Sequence, residues 1–226
     1  MSTLHENKNS VLDTFKINSS GIFLKDFHIL RTQEAFLSVG VKAPIDKIKA
    51  SYDLVEKENL TETCKMGRLI FQIPTAESSF KILEIAPMKS VLKLQPILKV
   101  KQPSGTGSKN FKWLERDFWD QINSLKAITA DDVLTINEKM QVVETSRFNL
   151  FFYDPAEKVV MTPTLSSGCI HGVYRRWALG NKFITLPNNG PVSIFEKDIL
   201  FSEIHRYQIF VANSVREVLS VELFSV

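Results

Sequence analysis

Glycine is scarce in this chain, with nine residues among 226, about half the average usage. Phosphate cradles built from glycine-rich loops therefore have little raw material. Cysteine is scarcer still. Cys64 and Cys169 are the two thiols, too few for a disulfide framework, and a reducing compartment is the natural expectation. No stretch approaches roughly 18 uninterrupted apolar residues, so no membrane-spanning helix is expected. The first 20 residues are polar and mixed in charge. They lack the apolar core of a signal peptide, and secretion is not expected.

Motifs of catalysis are missing too. There is no Gly-x-Ser-x-Gly, no His-Glu-x-x-His and no Gly-x-Gly-x-x-Gly. The loop Gln102-Pro-Ser-Gly-Thr-Gly-Ser-Lys-Asn110 superficially suggests a P-loop. Its order is Gly107-Ser108-Lys109, however, and Gln102 stands where the first glycine belongs, so it reads as a flexible basic loop. His5, His28, His171 and His205 are scattered, and a zinc site would need four ligands. Cys169 and His171 share one side of an expected strand, but no third group orients them. No metal and no cofactor are expected.

What is present is an ordinary globular mix, 44 % hydrophobic and 23 % charged, of a length for one large domain. The charge is unevenly spread. Residues 1–80 hold 10 basic and 10 acidic side chains, residues 81–112 hold 7 and 1, and residues 113–226 hold 11 and 14. The whole positive excess thus lies in 32 residues, which suggests a polyanionic partner.

Residues 1–20 read as a flexible polar arm, followed by a single α+β domain over 21–226 with a basic strand and loop at 89–112. Ile22-Phe23-Leu24 and Ala35-Phe36-Leu37 read as short strands. Ile45, Ile48, Tyr52 and Val55 recur at helical spacing after Pro44, which predicts a helix over 44–58. Residues 68–73 and 80–85 read as strands. Phe111, Leu114, Phe118, Ile122 and Leu125 form one stripe, which predicts a helix over 111–126, with Trp113 and Trp119 beside it in the core. After Gln141 the texture becomes β, with strands from Phe148 onward that include Ile170 to Leu179. The spacing of its breaks predicts a mainly antiparallel, jelly-roll-like β-sandwich core in the C-terminal half, flanked by two or three helices.

Lys89 to Lys101 alternates with period two. Leu92, Leu94, Leu98 and Val100 fall on one face, and Lys89, Lys93, Lys99 and Lys101 on the other. Pro96 predicts an edge strand. With Lys109 and Lys112, these lysines form a candidate track for single-stranded RNA or DNA bound without sequence preference. Edge lysines also guard a sheet against aggregation, so that reading stays open. Asp154 follows the apolar strand Phe148-Asn-Leu-Phe-Phe-Tyr153 and is suited to forming a turn.

The stretch from Arg147 resembles the plant-virus cell-to-cell movement proteins of the thirty-kilodalton superfamily. The resemblance rests on the apolar strand ending in Asp154, on Thr164-Leu-Ser-Ser-Gly168, on Lys182-Phe-Ile-Thr-Leu-Pro-Asn-Asn189 with Asp198 beyond it, and on the closing strands after Tyr207. It covers about 80 residues. It implies a non-enzymatic viral movement protein that binds single-stranded nucleic acid and aids its transport through plasmodesmata. Such a protein would sit in the host cytoplasm, at plasmodesmata or at the membrane periphery, with possible self-association. Two further readings remain. One is a matrix-like assembly protein on acidic membranes. The other is an enzyme whose site is assembled from distant residues, its signature being a close pair of buried ionisable groups.

Overall fold

In the computed structural model, which describes residues 9–224, the first strand begins where the polar arm was expected. Strand β1 (Ser10–Asn18) is followed by a two-residue strand β2 (Gly21–Ile22), helices α1 (Lys25–Ser38) and α2 (Ile45–Asn59), and strands β3 (Lys65–Gln72) and β4 (Ser78–Glu84). These elements form one compact unit together with the segment Phe111–Arg116; Ala86–Asn110 and the residues from Asp117 onward form a second.

The sheet of the first unit runs β2–β1–β3–β4, antiparallel throughout. Alternation sorts its side chains. Phe15, Ile17, Leu69 and Phe71 face the helices and join Ile29, Phe36, Ile48, Tyr52 and Val55 in the core. The opposite face carries Thr14, Arg68 and Lys81, directly paired across β1, β3 and β4. Gly67 lies beneath Phe15, where a β-carbon would fall 2.1 Å from the ring. Helix α2 occupies the span its apolar spacing predicts. Helix α1 replaces the two strands expected at 22–24 and 35–37. Its buried side includes His28, Arg31 and Thr32 beside Ile29, Ala35 and Phe36, so polar residues interrupt the apolar period that marks a helix.

The helix expected over 111–126 is confined to α3 (Asp117–Ser124). Residues 111–114 are extended beside β1 instead. Leu12 N–H donates to the Lys112 carbonyl and Leu114 N–H to that of Ser10, both at 3.0 Å, and Val11 bridges to Trp113. Inter-strand bonds to β1 have overridden the local helical spacing.

The second unit holds β5 (Val91–Gln102), α3, β6 (Asp132–Asn137), β7 (Val142–Thr145), β8 (Asn149–Asp154), β9 (Val159–Thr162), α4 (Val173–Asn181), β10 (Phe183–Leu186), β11 (Gly190–Glu196), β12 (Gln208–Asn213) and β13 (Glu217–Leu223). The strand order is β10–β11–β9–β8–β12–β13–β5–β6–β7, and β8 also pairs with β7. That last pairing closes β5, β6, β7, β8, β12 and β13 into a six-stranded ring, with β9, β11 and β10 as an extension. Three pairings are parallel: β13 with β5, β5 with β6, and β11 with β9.

The expected antiparallel jelly-roll sandwich is therefore wrong. Short alternating strands fix which face is apolar, but not strand direction or closure. Leu92, Leu94, Leu134, Ile136, Leu150, Phe152 and Val211 fill the main core of this unit. Strand β5 is not an edge, because β13 and β6 flank it. Pro96 stands beyond Leu94, the last β5 residue paired with β13, so one side is already unpaired where its N–H is missing.

Close packing at Gly67 gives a direct check. Gly67→Ala should destabilise the protein by about 1–3 kcal/mol through overpacking against Phe15. Gly180→Ala, at an open helical position, should be neutral or stabilise by up to about 1 kcal/mol. Urea unfolding of both variants measures the difference.

Candidate active site

The buried face of α1 explains its polar residues. Asp13 on β1 is fully buried, and its carboxylate gathers three side chains. Arg31 donates to Oδ1. His28 Nδ1 lies 2.7 Å from Oδ2, and Tyr52 Oη donates to the same oxygen at 2.7 Å. Tyr52 Oη also lies 2.9 Å from Thr32 Oγ1. Burial by itself raises a carboxyl's pKa. The charge of Arg31 and the hydrogen bonds from His28 and Tyr52 overturn that and hold Asp13 well below the usual carboxylate range.

His28 moves down for its own reasons. Burial disfavours the imidazolium and outweighs the attraction of Asp13, and Arg31 and Lys112 add repulsion. The ring is thus neutral at pH 7. Nδ1 carries the proton, because its partner is an ionised acceptor, and the buried Nε2 has no hydrogen-bond partner.

Lys112 belongs to the same unit and lies on the sheet face opposite the helices, in register with Leu12. Its Nζ donates to Thr14 Oγ1 at 3.0 Å. Burial and the charges of Arg31, Arg116 and Arg68 outweigh the pull of Asp13, bringing its pKa from 10.5 down to about 7. A lysine amine that is half neutral near physiological pH is a nucleophile and a proton carrier. Buried ionisable groups in contact are the signature named for the enzyme reading.

The second unit carries a separate polar construction. Between the pairs Leu134↔Thr145 and Ile136↔Val142 the β6–β7 register shifts by one residue, a bulge that re-aims β7. Glu144 lies within it, 2 % exposed. Its carboxylate accepts from Gln102 Nε2 at 2.9 Å and from the Ile170 N–H at 3.1 Å. Thr135 Oγ1 donates to Gln102 Oε1 at 2.7 Å. Asn110 and Asn149 hold the same loop through the carbonyls of Leu165, Cys169 and Ile170. The loop ends at Gly172, the N-cap of α4, where a β-carbon would fall 1.9 Å from Asn149 Oδ1. The first turn of a helix offers N–H groups without intrahelical acceptors, which suits an anion.

The lysines of the expected track do not form one. Lys89 pairs with Asp131 at 2.8 Å. Lys93 is exposed on β5, and the Lys101 ammonium lies 3.2 Å from Met140 Sδ. The Lys99 side chain lies outside the described residues. Lys109 donates to the Ser104 carbonyl within its own loop. Lys112 belongs to the other unit. Asp154 is a turn former, accepting from the Ala156 and Glu157 N–H groups at 3.0 and 3.3 Å. Ile170 to Leu179 is no strand, and α4 carries Arg175 and Arg176. Burial pushes the Cys169 thiol up to about 12, which makes it inert. Among the described residues no cluster could hold a metal ion, and no helix is long and apolar enough to cross a membrane.

Of the residues gathered around Asp13, sequence reasoning had singled out Lys112, as a phosphate contact, and Tyr52, as part of the α2 stripe. One further signal was available. The polar residues His28, Arg31 and Thr32 share a helical face with Ile29 and Phe36, and that face is buried.

The sequence model of class IV amino-transferases matches residues 10–224, across both units, and the chain belongs to that family. Solved structures agree on the fold. An amino-acid aminotransferase from Mesorhizobium loti, so described provisionally, superimposes with a TM-score of 0.80 at 19 % identity, covering 95 % of this chain and 99 % of that one. A protein described in the same provisional way as a 4-amino-4-deoxychorismate lyase, from Legionella pneumophila, gives 0.73 at 17 %, with coverage of 99 % and 88 %. The PLP-bound form of a hypothetical aminotransferase from Mycobacterium tuberculosis gives 0.74 at 13 %, with 99 % and 86 %. No curated protein matches the sequence.

These findings overturn the resemblance to viral movement proteins, and with it non-enzymatic transport, single-stranded nucleic acid as partner and the plasmodesmal setting. The family is one of enzymes. The matched viral positions were mostly apolar strand residues, which a closed β ring supplies equally well.

Removing Asp13 tests the buried network. Asp13→Asn should cost about 3–5 kcal/mol at pH 7, because Arg31 loses its buried counter-charge. Since the folded-state pKa is depressed, the stabilisation by Asp13 is complete above the ordinary carboxylate value of about 4 and is lost as pH falls below it. The gap between wild type and variant in urea unfolding should therefore shrink from pH 7 to pH 3.

Proposed function

We propose that this chain transfers amino groups with pyridoxal phosphate as cofactor, and that Lys112 holds that cofactor through its amine. The observation that carries the reading is the family match across residues 10–224; Lys112 is singled out by its place, Nζ bonded to Thr14 Oγ1 at 3.0 Å, and by a pKa brought down to about 7. An amine with the ordinary lysine value is almost wholly protonated at neutral pH and cannot attack an aldehyde. Thr14 Oγ1 lies on the same face and fixes the amine. Arg31 is spent on Asp13 on the helix-facing side of the sheet and is not placed to hold the cofactor's phosphate at Lys112.

When bound, the cofactor supplies an electron sink for the bond broken beside the substrate's amino group. The chain's own residues do the rest. Thr14 Oγ1 accepts a hydrogen bond from Nζ and aims the amine. The neutral Nζ takes a proton, and the resulting ammonium returns it. The flanking guanidinium groups make that return easy, because they disfavour the charged form of Lys112.

Borohydride trapping of pyridoxal phosphate on the protein, followed by peptide mapping, tests this. The label should fall on Lys112, with half-maximal trapping near pH 7 rather than near the ordinary lysine value of about 10. Lys112→Ala should abolish both site-specific labelling and amino transfer. Label spread over surface lysines, or trapping that rises only near pH 10, sinks the proposal.

A further inference from the structure

Helix α1 is held to the sheet by a large share of polar contacts. Of its buried residues, His28, Arg31 and Thr32 are polar, against Ile29, Ala35 and Phe36. Its start adds little. The N-cap Leu24 makes no side-chain bond to the first turn and stands in the left-handed region at φ 58°, which L side chains rarely adopt. The seat of α1 on β1 therefore depends on the bonds that His28 and Arg31 make to Asp13.

His28 is the member of that group whose charge changes near neutral pH. Its surroundings are closed. The ring is fully buried and packs edge-on against Phe15, with centroids 5.8 Å apart. The groups that face it come from four elements. β1 supplies Asp13, its own helix Arg31, α2 the phenol of Tyr52, and the extended segment the amine of Lys112. Asp13 is the acid among them, and it already accepts from Arg31 and Tyr52. Nε2 has no hydrogen-bond partner. A proton on Nε2 would be a buried donor with nothing to receive it, carried by a cation beside the Arg31 guanidinium. Burial and the charges of Arg31 and Lys112 accordingly lower the proton affinity of the ring, against the pull of Asp13.

We propose that His28 is an acid-sensitive latch: proton uptake at Nε2 releases α1 from β1 and opens the first unit, and loss of that proton closes it again. The sign follows from linkage. The folded state binds the proton more weakly than the unfolded chain does. The stabilisation is therefore complete above the ordinary histidine value of about 6.5 and is lost as pH falls below it. Asp13 is held well below the usual carboxylate range, so it stays ionised while the latch opens. The latch does not depend on the reaction assigned to Lys112.

Hydrogen exchange read by mass spectrometry on the full chain follows the opening directly. Protection of the α1 amides, corrected for the pH dependence of intrinsic exchange, should fall about tenfold or more from pH 7 to pH 5. Return to pH 7 should restore it. The amide of His28→Asn can still donate to Asp13 but does not titrate. In that variant protection should start lower at pH 7 and change less than about twofold over the same range. The variant keeps Lys112, so titration of that amine cannot account for a difference between the two proteins. A second measurement needs no variant. In an NMR titration of wild type, the His28 ring should stay in its neutral Nδ1–H form until the pH is below about 6.5, and should take up its proton as α1 loses protection.

Protection that falls equally in wild type and in His28→Asn overturns the latch. So does a His28 ring that titrates at or above about 6.5, because acid would then tighten α1. Proton uptake by the ring with α1 still protected overturns it as well.

Discussion

Asp13 is a fully buried carboxylate, and the first unit is arranged so that it never meets water unpaired. An isolated buried charge costs far more than a domain's net stability allows. The chain answers with a guanidinium and an imidazole from α1 and a phenol from α2. Strand β1 is thereby tied to both helices by directional bonds, in addition to the apolar contacts of Phe15, Phe36 and Val55. The geometry of α1 follows from this requirement, since His28, Arg31 and Thr32 must share the face that meets the sheet.

The same arrangement sets the chemistry of Lys112. One buried anion is surrounded by more cations than it neutralises. Arg31 is spent on Asp13, yet its charge still reaches Lys112, and Arg116 and Arg68 add to it. The attraction of Asp13 is outweighed, and the lysine gives up its proton near neutrality. A stabilising ion pair and a lysine pKa brought down to about 7 are thus two consequences of one imbalance. The basic segment that stands out in the charge profile is divided accordingly: Lys112 turns onto the sheet of the first unit, Lys89 pairs with Asp131, and Lys109 closes its own loop.

In the second unit, side-chain amides do work that glycine-rich loops do elsewhere. Gln102, Asn110, Asn137 and Asn149 hold the carbonyls between Leu165 and Ile170, and the α4 N-terminus is positioned without a run of glycines. Gly168 and Gly172 suffice, because each lies where another group approaches too closely for a β-carbon: the Pro103 carbonyl at one, the Asn149 amide oxygen at the other. Scarcity of glycine therefore argues against a loop type, not against an anion-suited helix terminus.

Local pattern determined a good part of this protein. The period of Ile45, Ile48, Tyr52 and Val55 behind Pro44 fixes α2. Apolar runs bounded by prolines mark β3 and β4, alternation marks β5, and the β texture after Gln141 marks the later strands, whereas β6 lies where no strand was expected; Asp154 makes the turn its position promised. These signals are legible because each depends on one element burying one face. Tertiary structure decided the rest. Helix α1 was hidden because its buried face is polar, paired to an acid in another element. Residues 111–114 were drawn from a helical stripe into extension by β1. Glu144 was turned by a bulge that no alternation records, and closure of the six-stranded ring depended on β8 finding β7. Lys112 was visible only as a basic residue among others. A lysine's pKa is a sum over charges brought close by folding, and Asp13, Arg31, Arg68 and Lys112 are neighbours in space but not in sequence.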